Sequence, residues 1–206
     1  MTPGPDPDGA TPLADEERAG LLADWIATRE ELNAVEQENV RAALAYLASP
    51  RRRPTVDKVL DDAYLRDVHT RMFAQVWQWA GTYRTTERNI GIDPWQVPMA
   101  VRDLVQDARY WLAPDTTWIT PDEALCKLHH RLVAIHPFPN GNGRLARAYT
   151  DLLARAAGRP LFTWGARGDL QRATLARDAY LAALRGLDRT PDDRQALAAL
   201  VAFARS

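Results

Sequence analysis

The sequence predicts an all-α protein, and three observations predict it. Apolar residues recur at spacings of three and four through almost every segment, the period of a helix with one buried face. Thr-x-x-Glu and Thr-Pro start signals stand where several of these patterns begin, and glycine or proline stands where they stop. Only residues 83–97 break the rhythm: Ile90 and Ile92 flank Gly91, and the stretch predicts one short β-hairpin.

The elements follow in order. Residues 1–12 are rich in Pro, Gly and Asp and read as a disordered leader. Ala19, Leu22, Trp25 and Ile26 give residues 15–28 an amphipathic spacing. Leu32, Val35, Leu44 and Leu47 do the same for 30–48. Residues 13–50 are thus expected to be N-terminal helices ahead of a main domain at 51–206. Ser49 and Pro50 end the second helix, and the arginines at 51–53 read as a solvated loop. Thr55 caps a long helix whose stripe is Val59, Ala63, Leu65, Val68, Met72, Phe73, Val76 and Trp77, closed by Gly81. A helix over 99–113 comes after the hairpin. Thr120-Pro121-Asp122-Glu123 is a capping box with proline in the first turn, and its helix runs through Leu125, Leu128, Leu132 and Ile135. Another helix opens near Gly143 and stops at Gly158-Arg159-Pro160. Residues 161–165 link it to helices at 169–187 and 191–205, the last capped by Thr190.

Composition narrows the function. The 206 residues allow one domain with a small appendage. With 26 basic against 27 acidic side chains the net charge is −1, which argues against direct nucleic-acid binding. Cys126 is the single cysteine, so intramolecular disulfides and cysteine metal clusters are excluded. His129 and His130 lack further ligands at metal spacing and read as packing or surface residues. No apolar run spans a membrane and no signal peptide opens the chain, so the expected location is the cytoplasm.

Residues 136–147 carry the chemistry: His136-Pro137-Phe138-Pro139-Asn140-Gly141-Asn142-Gly143-Arg144-Leu145-Ala146-Arg147. Gly141 and Gly143 let the backbone turn tightly and bring N–H groups to an anion. The helix that follows favours negative charge at its N-terminus. Arg144 and Arg147 share a face of it, where both forks can grip phosphoryl oxygens. His136 stands just ahead of the loop, and an imidazole with a pKa near ~6.5 suits a general base. A glycine-rich turn with a surface histidine and solvated arginines is the bland alternative, and so many specified positions in one window weigh against it.

The run resembles the Fic family signature, His-Pro-Phe-x-(Asp/Glu)-Gly-Asn-Gly-Arg-x-x-Arg. Its Pro139-Asn140 spelling is similar to the subgroup called mobile mystery protein B, whose members are typically encoded beside a helix-turn-helix protein. The resemblance implies a Fic-fold helical bundle with the hairpin as a flap over the active-site loop. It implies transfer of AMP from ATP, with Mg²⁺ or Mn²⁺, to a Ser, Thr or Tyr hydroxyl of a target protein. His136 would be the general base. The 140–143 loop, with the Asn142 amide, would hold the nucleotide phosphates. Arg144 would contact the departing phosphates, and Arg147 would reach the outer one or brace the flap. Arg84, Asn89, Ile90, Gly91 and Ile92 match the flap, whose edge docks the target by strand addition.

Asn140 departs from the family's acidic residue, which holds the metal. An amide oxygen can ligate Mg²⁺ but brings no charge. Three outcomes stay open: weaker metal use through the nucleotide's phosphates, another donor or transferred group, and an impaired module that binds nucleotide or partner. Many Fic proteins silence themselves with a (Ser/Thr)-x-x-x-Glu-(Gly/Asn) helix. Glu38-Asn39 fits its tail and marks Glu38 as the inhibitory candidate, but Ala34 replaces the hydroxyl residue, and Glu38 also reads as an ordinary exposed side chain. A toxin role of the kind known for bacterial Fic proteins is beyond the sequence.

Overall fold

The structure is a computed structural model that describes residues 19–23, 25–26, 28–165, 170, 174–190 and 193–206. Eight α-helices occur among these residues: α1 (Arg29–Leu47), α2 (Val56–Val59), α3 (Asp62–Phe73), α4 (Val97–Trp111), α5 (Pro121–Ile135), α6 (Asn142–Ala156), α7 (Leu175–Arg189) and α8 (Arg194–Arg205). A 3₁₀ turn at Pro94–Gln96 leads into α4. There is no strand among the described residues, so the fold is all-α as expected.

Helix α5 is the axis of the bundle, packed by α4, α6 and α8. Its start forms as the sequence predicts. The Thr120 hydroxyl accepts from the Glu123 N–H, and the Glu123 carboxylate accepts from the Thr120 N–H. Ala124, Leu125, Cys126, Leu128 and Leu132 are all buried, which leaves little of the helix for solvent and explains its central place. Burial pushes the Cys126 thiol up to about 12, so it packs as a small apolar residue. Helix α6 follows α5 through the motif loop and lies against it. Helix α1 packs along α3.

Several sequence expectations are corrected. The helix predicted from Thr55 to Trp77 is broken at Leu60, where ψ reaches 67°, and Leu60 turns fully into the core. Asp61 then caps a new helix, α3, by accepting from the Tyr64 N–H. That helix ends at Phe73, and Val76 and Trp77 are buried from turns instead. The expected helix over 15–28 does not form in its described part. Leu22 N–H donates to Val76 O and Gln78 N–H to Gly20 O, so the segment pairs with the turn exposed after α3. Residues 15–18, 24 and 27 lie outside the description, as do the 1–12 leader and positions 169 and 191, where the last two helices were expected to begin. Thr174 caps α7 and Asp193 caps α8, while Thr190 closes α7.

Residues 83–93 form bends and irregular backbone, not a hairpin. The reason is Arg84, whose guanidinium supplies the donors that a partner strand would have supplied. Its Nη1 donates to Thr86 O at 3.0 Å and its Nη2 to Ile92 O.

Candidate active site

The C-terminus of α5, the 137–141 loop and the first turn of α6 converge on one cavity of about 520 Å³. His136, Asn140–Arg144 and Arg147 all line it. Glu36 of α1 and the flap residues Ile90 and Gly91 close one side, while His130, Tyr180, Leu184 and Asp188 line the groove between α5 and α7.

His136 is the C-cap of α5, in the left-handed conformation with φ 54° and ψ 60°. A non-glycine residue there is costly, by ~1–2 kcal/mol, so the surrounding contacts must fix it. Burial first, then the Arg84 and Arg88 guanidiniums, push its imidazole down to about 4, against a hydrogen bond to the Val133 backbone. At neutral pH the ring is therefore neutral, as a general base must be.

The loop is stapled from inside. Asn142 Oδ1 accepts from Phe138 N–H at 2.9 Å, and Asn142 Nδ2 donates to Phe138 O at 2.7 Å. Each end of that amide makes one bond that closes the turn, which leaves its second N–H for a phosphate. Asn140 is similarly engaged: its Oδ1 accepts from Gly141 N–H at 2.6 Å. Gly141 has φ +80°, and a Cβ there would stand 2.5 Å from the Phe73 ring, so only glycine fits. A Cβ on Gly143 would meet nothing closer than Arg147 Nη1, at 3.7 Å, so its backbone lies open to the cavity. The N–H groups of Asn142, Gly143 and Arg144 are first-turn donors without intrahelical acceptors.

The two arginines diverge. Arg144 Nη2 donates to Glu36 Oε2 at 2.7 Å, and its guanidinium lies 4.8 Å from the Phe73 ring centre. Its Nη1 is buried without a partner. Glu36 is 2% exposed, and its other oxygen accepts from Trp77 Nε1 at 2.6 Å. Arg147 points to α7 instead, 5.5 Å from the Tyr180 ring centre, and does not brace the flap. Glu38, the inhibitory candidate of the sequence, sits on the outer face of α1 in an exposed pair with Arg41. Two positions along a helix turn the side chain by ~200°, so Glu36 and Glu38 cannot share a face. Glu36 could have been found: it lies in phase with Leu32, Ala43 and Leu47, a charge on the buried stripe.

One further residue, His69, was not singled out from the sequence. His69 is fully buried in α3 and stacks on Phe138 at 3.8 Å. Gly81 N–H donates to its Nδ1, so the proton sits on Nε2, which donates to Asn140 O at 3.1 Å. Burial holds this imidazole down at about 3, and it acts as a strut under the loop. Arg84 was placed on the flap as a target-docking residue. It is 3% exposed and faces inward. Asn89 is exposed, while Ile90 and Ile92 are half-buried. His129 packs against Tyr180 and Trp164, and His130 contacts Asp188 at 2.8 Å.

The donor set builds no metal site of its own. Among the described residues no three His, Cys, Asp or Glu side chains gather at metal distance. Asn140 lines the cavity but brings only a neutral amide oxygen, so a metal ion would depend on oxygens that the nucleotide brings.

The site thus joins a histidine at a helix end, a glycine turn at the next helix's N-terminus and two arginines, all on one cavity of an all-helical bundle. Residues 59–154 match the Fic/DOC family model. The chain is 37% identical over 82 residues to protein adenylyltransferase fic-1 of Caenorhabditis elegans, covering 39% of this chain and 16% of that protein. It is 31% identical over 123 residues to protein adenylyltransferase Fic of Nematostella vectensis, covering 57% and 28%. The matched regions thus span less than a third of those relatives. The fold matches the BepC protein of Bartonella tribocorum, solved with bound AMPPNP, at TM-score 0.63 and 17% identity over 92% of this chain and 98% of that one. It also matches the N-terminal Fic domain of a Bep effector from Bartonella sp. AR 15-3 at TM-score 0.64 and 19% identity, over 87% and 83%. No helix among the described residues is long and apolar enough to cross a membrane.

Proposed function

We propose that the protein is a nucleotidyltransferase that moves AMP from ATP to a Ser, Thr or Tyr hydroxyl of a target protein. One observation carries the reading: His136 opens onto the same cavity as the first-turn N–H groups of α6, Arg144 and Arg147. The names of the relatives, protein adenylyltransferases, and the AMPPNP bound to BepC support it.

The phosphates seat over the N-terminus of α6, where backbone N–H groups hold non-bridging oxygens and stabilise charge that grows as the leaving group departs. The nucleoside extends along the groove between α5 and α7, towards His130 and Asp188. The acceptor oxygen attacks the α-phosphorus, the bond to the bridging oxygen breaks, and pyrophosphate leaves. His136 takes the hydroxyl proton. A base near pKa 4 is weak, but the phosphates beside it favour the imidazolium and raise it when nucleotide binds. Arg144 serves the leaving phosphates only after releasing Glu36, so the Glu36–Arg144 pair restrains the free enzyme. Asn140 Oδ1 would be the protein's ligand to a Mg²⁺ or Mn²⁺ held mainly by the nucleotide, and such an ion would supply charge neutralisation at the phosphates.

Asn140 Oδ1 accepting from Gly141 N–H favours a second reading, transfer of another moiety with little help from metal. Labelled ATP separates the two. Acid-stable label on cell protein from the α-phosphorus, and none from the γ-phosphorus, is expected for AMP transfer. Label from the γ-position alone overturns it in favour of phosphoryl transfer.

A further inference from the structure

Arg84 stands outside the motif, yet its polar atoms converge on the motif's first residues. Its Nε donates to His136 O at 2.6 Å, and its Nη2 reaches Ile135 O at 3.4 Å. Its own backbone N–H donates to Pro137 O at 3.0 Å. The remaining donors go to Thr86 O and Ile92 O, one on each side of the flap. A single residue therefore ties both halves of the flap to three consecutive carbonyls at the place where the chain turns left-handed. Carbonyls at a helix C-terminus lack intrahelical donors, and here a guanidinium supplies them. Gly91 makes the approach close: a Cβ there would stand 2.7 Å from Arg84 Nη2 and 2.7 Å from His136 Cβ.

We propose that Arg84 is the positioning residue of the transfer reaction: it clasps the left-handed turn beneath His136 to the inner side of the flap, so that the base and the acceptor-facing surface keep one geometry. This rests on the reading of His136 as the base. Arg84 reaches neither nucleotide nor acceptor in this scheme, because its buried guanidinium is turned onto main-chain oxygens. Its charge has a second effect. Among the described residues no carboxylate is hydrogen-bonded to the guanidinium, though Asp93 and Glu87 lie near enough to act on it, and the field it exerts disfavours the imidazolium of His136. Arg84 and Arg88 from the flap lower its pKa, and the Val133 backbone of α5 raises it.

The test follows the His136 ring by NMR against pH and measures transfer in the native chain, Arg84→Lys and Arg84→Gln. Arg84→Gln is expected to lose at least ~10-fold in kcat, with KM for ATP within about twofold, as befits lost orientation. Its His136 midpoint rises by about one pH unit as a charge is withdrawn. Arg84→Lys keeps the charge but not the fork, so kcat falls while the midpoint stays low. If Arg84→Gln does not fold, Arg84→Lys and Gly91→Ala decide: both should lower kcat and leave KM in place. Native kcat and native midpoint in Arg84→Gln overturn the proposal, and so does a parallel loss of kcat and ATP affinity in every folded variant. A native chain that transfers nothing ends the nucleotidyltransferase reading. The NMR midpoint still judges the clasp, and an unchanged value in Arg84→Gln ends that too.

Discussion

Replacing Glu36 by Gln should tighten ATP binding. The carboxylate holds Arg144 Nη2 at 2.7 Å, with the two side chains only 3% and 14% exposed, so the pair is not a surface ion pair diluted by water. A hydrogen bond between charged groups nets ~1.5–3 kcal/mol, and a phosphate that recruits Arg144 must give that back. With the carboxylate gone, the same amount returns to nucleotide binding, and at ~1.4 kcal/mol per decade this is ~10–100-fold in Kd. Gln keeps an oxygen for Trp77 Nε1, so the packing of α1 on α3 survives. Without nucleotide the variant should melt lower, because Arg144 is left inside without its counter-charge. Saturating ATP should recover most of that loss. Isothermal titration with ATP measures the Kd directly, and Glu38→Gln is the control, since that carboxylate sits outside with Arg41. A Glu36→Gln protein that binds ATP within twofold of native refutes the reasoning.

The remaining predictions concern the loop and its histidines. Gly141→Ala pushes a Cβ to 2.5 Å from the Phe73 ring at φ +80°, and should cost ~1–3 kcal/mol, a fall of several degrees in Tm by calorimetry. His69→Ala leaves Asn140 O and Gly81 N–H without their partner and should cost at least ~2 kcal/mol by urea unfolding. Stability should fall on acidification below neutrality. His69, His129 and His136 are all held below their ordinary value, at about 3, 3 and 4, so below pH ~6.5 the unfolded chain binds more protons and stability rises with pH. Asp151, raised by burial to about 6, works in the opposite sense between ~4 and 6, but it is one group against three. A Tm that is higher at pH 5 than at pH 7 would contradict this balance.

What the sequence revealed divides along local and distant lines. The Thr120 capping box is a contact across three residues, and it was legible. So were the loop glycines and the helix that follows them, because their conformations are set within a few residues. The break at Leu60 was missed although Asp61 is a good cap, since the apolar stripe continues across it and core packing overrode periodicity. The hairpin was expected from Ile90-Gly91-Ile92. A guanidinium took the place of the partner strand, and no local pattern encodes that. The same limit hid the site's supports. Arg144 meets Glu36 across 108 residues and His69 meets Asn140 across 71, so only the folded chain brings them together.

The central claim is that His136 is the base of a nucleotide transfer performed at the N-terminus of α6. Single-turnover transfer from ATP labelled at the α-phosphorus to protein hydroxyls, native chain against His136→Ala, tests it most directly. The account predicts that His136→Ala binds ATP with native affinity and transfers it ~10²–10⁴-fold more slowly, the usual worth of base assistance. Equal transfer rates in the two proteins would contradict it.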